Sequence, residues 1–174
     1  MRLTPLQIGL IFLATATFAP AQEESTPKRG LVGRLLHPFS SSEKVPEYRN
    51  SKLRGLILLV QVPTEPVNLT EVRQLPVTVM LSNRGKRAVE LNFPTDQRID
   101  IYLHDAAGRI VTRWSDNRAF EPKSASILVN PDEHLEYSET IATRDLSPGK
   151  VFTVEAVVPA YPELDAKRKS IAAP

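Results

Sequence analysis

From Leu53 onward, short apolar or alternating runs separated by turn residues predict an all-β domain. In the second run the apolar residues Val77, Val79 and Leu81 recur every two positions, as in a half-buried strand. The predicted strands are 54–62, 73–83, 88–93, 97–104, 109–115, 134–143 and 151–160, with 169–172 as a short edge strand or a frayed tail. The pattern therefore favours an immunoglobulin-like antiparallel β-sandwich of about seven to eight strands, and a closed barrel is the alternative.

Turn residues predict how some of these strands connect. Residues 83–86 suit a turn after which 88–93 is the return strand. Residues 105–108 suit a type I turn followed by a glycine in the left-handed conformation. The hairpin around that turn is expected to place its residues in these pairs: Leu103 opposite Val111, Tyr102 opposite Thr112, and Asp100 opposite Trp114.

The first 52 residues differ from this pattern. Arg2, the apolar run 6–19 and the small residues around Ala21 predict a secretory signal peptide over 1–21, and hence a periplasmic or extracellular protein. An uncleaved membrane anchor is the alternative, although the run is shorter than the roughly 20 residues of a spanning helix. Residues 22–52 predict a flexible leader, in which 31–39 forms a short amphipathic helix on the domain or membrane surface, or stays unstructured. The β-domain is assigned to 53–174.

Composition narrows the function classes. The chain has no cysteine, so disulfides, thiol catalysis and thiolate metal sites are excluded, and the domain must rely on its own apolar core. Lys and Arg total 22 against 20 Asp and Glu, and the two signs are interspersed. Because nucleic-acid binding normally needs a basic excess on one face, we expect no nucleic-acid partner.

Candidate catalytic residues are few. In the expected register His104 and Ser115 lie at opposite ends of the hairpin and on opposite faces, so this hairpin cannot supply the Ser-His pair of a hydrolase. The acidic residues are scattered without metal-ligand spacing, so we expect no enzyme, cofactor or metal site; one adventitious calcium at an end of the sandwich is the alternative. Asp100 lies within an apolar strand and needs a donor, either an adjacent backbone amide, Arg113 or the Trp114 indole.

Several motifs follow one another in a distinctive order between residues 75 and 158. A Gln-x-x-Asp strand at 97–100 leads through the 105–108 turn to Trp114-Ser115 and Phe120. In this order they resemble the signature of the intracellular proteinase inhibitor (BsuPI) family. The matching framework residues are Asn83, Phe93, Asp100, Asp105, Gly108, Trp114, Ser115, Tyr137 and Gly149. The sequence departs from the family pattern at Asp132, where the family usually has glycine, at Phe152 for a tyrosine, and at Ile99 for an aromatic residue.

The resemblance implies a non-catalytic domain that binds and inhibits a serine proteinase. The candidate contact residues lie in two connections: Thr95 and Gln97 in 94–97, and Arg118, Phe120 and Lys123 in 115–126. The family name describes a cytoplasmic inhibitor, whereas the signal peptide predicts export. The alternative function is therefore a protein-interaction or assembly module of the cell envelope, with a possible peripheral membrane contact and no inhibitory activity.

Overall fold

The computed structural model describes residues 44–173, together with the backbone of Lys28 and Arg29. The predicted signal peptide, the predicted helix at 31–39 and the rest of the leader up to 43 lie outside the described residues. Within the leader, Tyr48 donates a hydrogen bond from its hydroxyl to the Leu56 carbonyl at 3.0 Å. None of the described residues belongs to a helix long and apolar enough to cross a membrane.

The regular secondary structure of the described chain is almost entirely β-strand, which confirms the predicted all-β sandwich. The strands are β1 (Lys28–Arg29), β2 (Leu56–Gln61), β3 (Val67–Asn68), β4 (Gln74–Asn83), β5 (Val89–Phe93), β6 (Asp100–His104), β7 (Ile110–Arg113), β8 (Ala125–Val129), β9 (His134–Ala142), β10 (Val151–Val158) and β11 (Tyr161–Ala173). Two short 3-10 helices, Ser51–Leu53 and Trp114–Asn117, precede β2 and follow β7.

Two main sheets enclose the core. One has the strand order β1-β9-β4-β2 and the other the order β3-β11-β10-β6-β7, while β5 and β8 form a separate two-stranded sheet. The inward positions follow the period of two, as in β10, where Phe152, Val154, Ala156 and Val158 are buried. Buried side chains from all three sheets form one apolar cluster, to which each large member contributes roughly 1.5–3 kcal/mol.

The predicted return strand exists, but it pairs with a different neighbour. β5 pairs with β8, from Val89 opposite Val129 to Phe93 opposite Ala125, whereas β4 has β2 and β9 on its two sides. The turn after β4 is held against the start of β2 by a 2.7 Å hydrogen bond from the Arg84 amide to the Gly55 carbonyl. Both sides of β4 are therefore occupied, and the prediction that 88–93 returns beside it is wrong.

The hairpin of β6 and β7 has the predicted turn and a different register. Gly108 adopts a positive φ of 80°, and its amide donates to the Asp105 carbonyl at 2.9 Å. The observed cross-strand pairs are Tyr102 with Arg113, Leu103 with Thr112 and His104 with Ile110. The predicted pairs were one residue out because Val111 is an extra residue in a β-bulge, which shifts the ladder beyond it.

The carboxyl-terminal segment forms a long strand. β11 pairs with β10 from Tyr161, opposite Val158, to Ile171, opposite Val151. Its inward residues Leu164 and Ala172 are buried, while Lys167 and Lys169 remain exposed. The prediction of a short edge strand or a frayed tail is therefore wrong, because charged residues can occupy the outer face of a strand whose inner face is buried.

Candidate protein-binding surface

Two connections between strands lie side by side at one end of the molecule. Residues 94–99 join β5 to β6, and residues 114–124 join β7 to β8. Because Phe93 and Ala125 are paired, both connections meet at this end of the β5-β8 sheet. The Asp96 amide also donates to the Glu121 carbonyl at 3.1 Å. The structure thus brings together the two predicted contact regions, and we call residues 94–97 and 118–124 the paired-loop surface.

The Trp114 ring packs against two residues of the longer connection. The Arg118 guanidinium carbon lies 3.9 Å from the centroid of the Trp114 ring, and the Phe120 ring centroid lies 5.9 Å from it. One oxygen of Glu139, Oε2, accepts hydrogen bonds from the Trp114 indole at 3.1 Å and from Arg118 at 3.0 Å. Arg118 and Phe120 therefore fix the path of the chain, and their predicted contact with a partner stays a prediction.

Residues 118–124 form an exposed segment outside any strand or helix. Only Phe120 is partly buried there, through its packing against the core. The Lys123 amide donates to the Glu121 carbonyl at 2.7 Å, which closes a tight turn around Pro122. Pro122 has a restricted φ at the centre of this turn, so the backbone that carries Lys123 has little conformational freedom.

The shorter connection is held by its own side chains. Thr95 accepts a hydrogen bond at Oγ1 from the Gln97 amide at 3.3 Å, and its carbonyl accepts one from Arg98. The Arg98 guanidinium in turn lies 4.6 Å from the ring centroid of Phe93. Thr95 and Gln97, the two predicted contact residues of this connection, are half-buried and contribute first to its conformation.

Asn83 joins three parts of the backbone from the end of β4. Its side-chain amide donates to the carbonyls of Arg87 at 2.8 Å and Val129 at 2.9 Å, and its Oδ1 accepts from the Gly85 amide at 2.9 Å. The residue is fully buried. All the hydrogen-bonding groups of this side chain are thus used to fix the chain as it leaves β4 towards β5.

Asp100 is a buried carboxylate that holds the beginning of the longer connection. Its Oδ1 accepts from the adjacent Ile101 amide at 2.9 Å, and its Oδ2 accepts from the Ser115 hydroxyl at 2.8 Å. The expected backbone donor is therefore confirmed, but the side-chain donor is Ser115, since the Trp114 indole bonds Glu139. His104 bonds Glu155 at 2.6 Å, so Ser115 and His104 have separate structural partners.

Three other predicted framework residues have structural roles, two in turns and one in the core. Asp105 accepts from the Ala107 and Arg109 amides, both at 2.9 Å, and closes the hairpin turn. Gly149 has a positive φ of 70° in the turn before β10. Tyr137 is buried in β9, and this burial raises its pKa to about 12, opposed by the nearby charge of Arg98.

Asp132 has the left-handed conformation that glycine adopts most readily, with a φ of 61°. This is the position at which the sequence departs from the expected glycine. Aspartate is among the few other residues that adopt this conformation at modest cost, so the departure leaves the turn intact.

Among the described residues, no group of three or more His, Cys, Asp or Glu side chains could hold a metal ion.

Comparison with known proteins identifies the family. The model of the BsuPI family, described as intracellular proteinase inhibitor, matches residues 64–163, which is more than half of the chain. The protein belongs to the BsuPI family. No curated protein matches the chain.

Solved structures share only a broad likeness with this BsuPI domain. A β-glucosidase from Listeria innocua is 16% identical with a TM-score of 0.40, over 82% of this chain and 21% of the enzyme. The sporulation control protein Spo0M from Bacillus subtilis is 12% identical with a TM-score of 0.39, over 69% of this chain and 50% of Spo0M. The chain therefore spans about a fifth of the glucosidase and half of Spo0M.

The family signature of this BsuPI domain marks its scaffold. Asn83, Asp100 and Ser115 make internal hydrogen bonds, and Trp114 packs under the longer connection. The exposed residues of the paired-loop surface, such as Lys123, stand outside that signature. Sequence reasoning could name the two connections from their position between strands, but only the pairing of β5 with β8 makes them one surface.

Proposed function

We propose that the protein is an exported, non-catalytic inhibitor of a serine proteinase, and that the proteinase contacts the paired-loop surface. The observation that carries this proposal is the exposed segment 118–124, which is held at both ends by a rigid β-sandwich. Inhibitors that bind tightly rearrange little on binding, because each side chain or loop that must be ordered reduces the affinity. Family membership supplies the class of partner.

Internal contacts replace the disulfides that brace the loops of many secreted inhibitors. Before the segment, Ser115 is bonded to Asp100, and Arg118 is stacked on Trp114 and bonded to Glu139. After it, Ala125 begins β8 and pairs with Phe93. A cation–π contact of this kind contributes about 0.5–1 kcal/mol at an exposed site, and a hydrogen bond to a charged group about 1.5–3 kcal/mol. These contacts limit the conformations available to the segment before binding.

Export is part of the proposal and is supported by the sequence. The apolar run 6–19 and the small residues that end at Ala21 fit a cleaved signal peptide. The absence of cysteine means that folding in the periplasm or outside the cell requires no oxidation step. The proteinase target would then be an enzyme of the same compartment.

The test is a titration of the protein from Gln22 onward against trypsin, chymotrypsin and subtilisin. Residual proteinase activity and the integrity of the inhibitor are followed in the same samples. A loss of activity that saturates near one equivalent, with the inhibitor uncut, would support the proposal. Full residual activity of every enzyme, with an inhibitor that is folded by circular dichroism, would refute inhibition of these classes.

A cell-envelope interaction module without inhibitory activity is the second candidate. It is favoured by a groove of about 460 Å³ beside β7, lined by Thr112, Trp114, Ile141 and Arg144 among others. Within the described strands, β7 pairs only with β6, so its other side faces this groove. An extended peptide can add to such an edge as a further strand. Binding of an envelope protein that is lost on substituting Thr112 by proline would support this alternative.

A further inference from the structure

Lys123 differs from Arg118 and Arg98, the other basic residues in and next to the paired-loop surface. Arg118 is bonded to Glu139 and lies over Trp114, and Arg98 is bonded to the Thr95 carbonyl and lies over Phe93. The side chain of Lys123 is exposed and makes no hydrogen bond or ion pair with any residue that the structure describes. It is therefore the basic side chain here that a partner can bind without breaking an internal contact.

The backbone around this free side chain is fixed. The Glu121 carbonyl accepts from the Asp96 amide at 3.1 Å and from the Lys123 amide at 2.7 Å, which ties the turn to the neighbouring connection. Two residues after Lys123 the chain enters β8 at Ala125. A long cationic side chain on a fixed and exposed turn loses little backbone entropy when it enters a pocket.

We infer that Lys123 enters the primary specificity pocket of a serine proteinase that selects basic side chains. This inference rests on the proposed function and deepens it. Such a pocket has a carboxylate at its base, which forms a charge-assisted hydrogen bond with an ammonium group. Phe120 is the competing choice for a pocket that selects aromatic side chains, but it is partly buried and packs against Trp114, so its insertion would break that contact.

The same geometry predicts that the bond after Lys123 is not cleaved. Proteinases bind their substrates as extended strands whose backbone amides pair with the enzyme. In this protein the Lys123 amide is already bonded to Glu121 in a tight turn. The side chain can therefore occupy the pocket while the backbone is held out of the conformation that cleavage requires.

The experiment measures inhibition of trypsin and chymotrypsin by the wild-type protein and by Lys123→Ala, Lys123→Arg and Lys123→Phe. We expect wild-type inhibition of trypsin, a loss of at least about 100-fold for Lys123→Ala, and a change within about tenfold for Lys123→Arg. Lys123→Phe is expected to gain inhibition of chymotrypsin. Lys169→Ala, an exposed lysine on β11, is the matched control and is expected to inhibit as the wild type does.

The possible failures separate the two proposals. Equal inhibition of trypsin by the wild type and Lys123→Ala would overturn the role of Lys123 and leave the inhibitor function standing. Inhibition of chymotrypsin alone by the wild type would have the same meaning for Lys123. Rapid cleavage by trypsin after Lys123, without lasting inhibition, would show that this segment is a substrate, and would overturn the prediction that the bond is protected. A folded wild-type protein that inhibits no serine proteinase would overturn both. Unfolding midpoints within about 2 °C of the wild type establish that the variants are folded.

Discussion

Asn83→Ala tests whether one buried side-chain amide fixes the connection between β4 and β5. The substitution removes three hydrogen bonds, to the carbonyls of Arg87 and Val129 and from the amide of Gly85. Asn83 and Val129 are fully buried, so the Val129 carbonyl has no water to replace its donor and costs about 1–3 kcal/mol. Arg87 is exposed and Gly85 partly exposed, so water replaces part of their bonding.

The three contributions and the lost packing together lower the free energy of unfolding by roughly 2–4 kcal/mol. For a domain of this size that corresponds to a fall in Tm of about 10 °C. Urea unfolding is conveniently followed by fluorescence, because Trp114 is the one tryptophan of the chain and is buried. Asn83→Asp keeps the shape but replaces both donors by a carboxylate facing two carbonyls, so it is expected to be at least as destabilising.

Asn92→Ala is the matched control, because Asn92 is exposed on β5 and its Oδ1 accepts a hydrogen bond only from the exposed Ser126. It is expected to change the free energy of unfolding by less than about 0.5 kcal/mol. If Asn83→Ala were as stable as Asn92→Ala, the hydrogen bonds of Asn83 would not be what fixes the connection between β4 and β5.

Substitutions at three other positions, Tyr137, Asp132 and Gly55, test burial and backbone conformation. Burial raises the pKa of Tyr137 from 10 to about 12, so its contribution to stability is complete below pH 10 and is lost as the pH rises through 12. Tyr137→Phe is therefore expected to lose less stability between pH 9 and pH 12, by up to roughly 2–3 kcal/mol in urea titrations, and equal losses would contradict this. Asp132→Gly, at a φ of 61°, is expected to raise the free energy of unfolding by up to about 1 kcal/mol, and Asp132→Val to lower it. Gly55→Ala places a methyl carbon 2.7 Å from the Gly85 Cα at a φ of 97°, and is expected to cost more than about 3 kcal/mol. Gly108→Ala, which meets no atom within 4 Å, is the control and is expected to cost about 1 kcal/mol of backbone strain alone.

The sequence by itself determined the features that depend on local geometry. The alternation of Val77, Val79 and Leu81 specifies a strand with one buried face, because successive side chains point to opposite sides. The turn at 105–108 follows from Asp105 and Gly108, which need no distant partner to adopt it. The family signature was also readable from the order and spacing of its residues, several of which form internal contacts of the scaffold.

Only the tertiary structure decided which strands are neighbours. β11 carries a charged outer face and becomes a long strand because β10 pairs with it, and β5 finds β8 because both sides of β4 are occupied. The bulge at Val111 moved the hairpin register by one residue, which no alternation pattern specifies.

The candidate site likewise depends partly on the sequence and partly on the tertiary structure. Sequence reasoning placed Arg118, Phe120 and Lys123 in one connection and could not rank them, since all three are plausible contacts for a proteinase. Glu139 and Trp114 engage Arg118, and Trp114 engages Phe120, which leaves Lys123 free. Those contacts depend on how β7 and β9 approach each other across the sandwich, so the availability of a side chain is a property of the packed molecule.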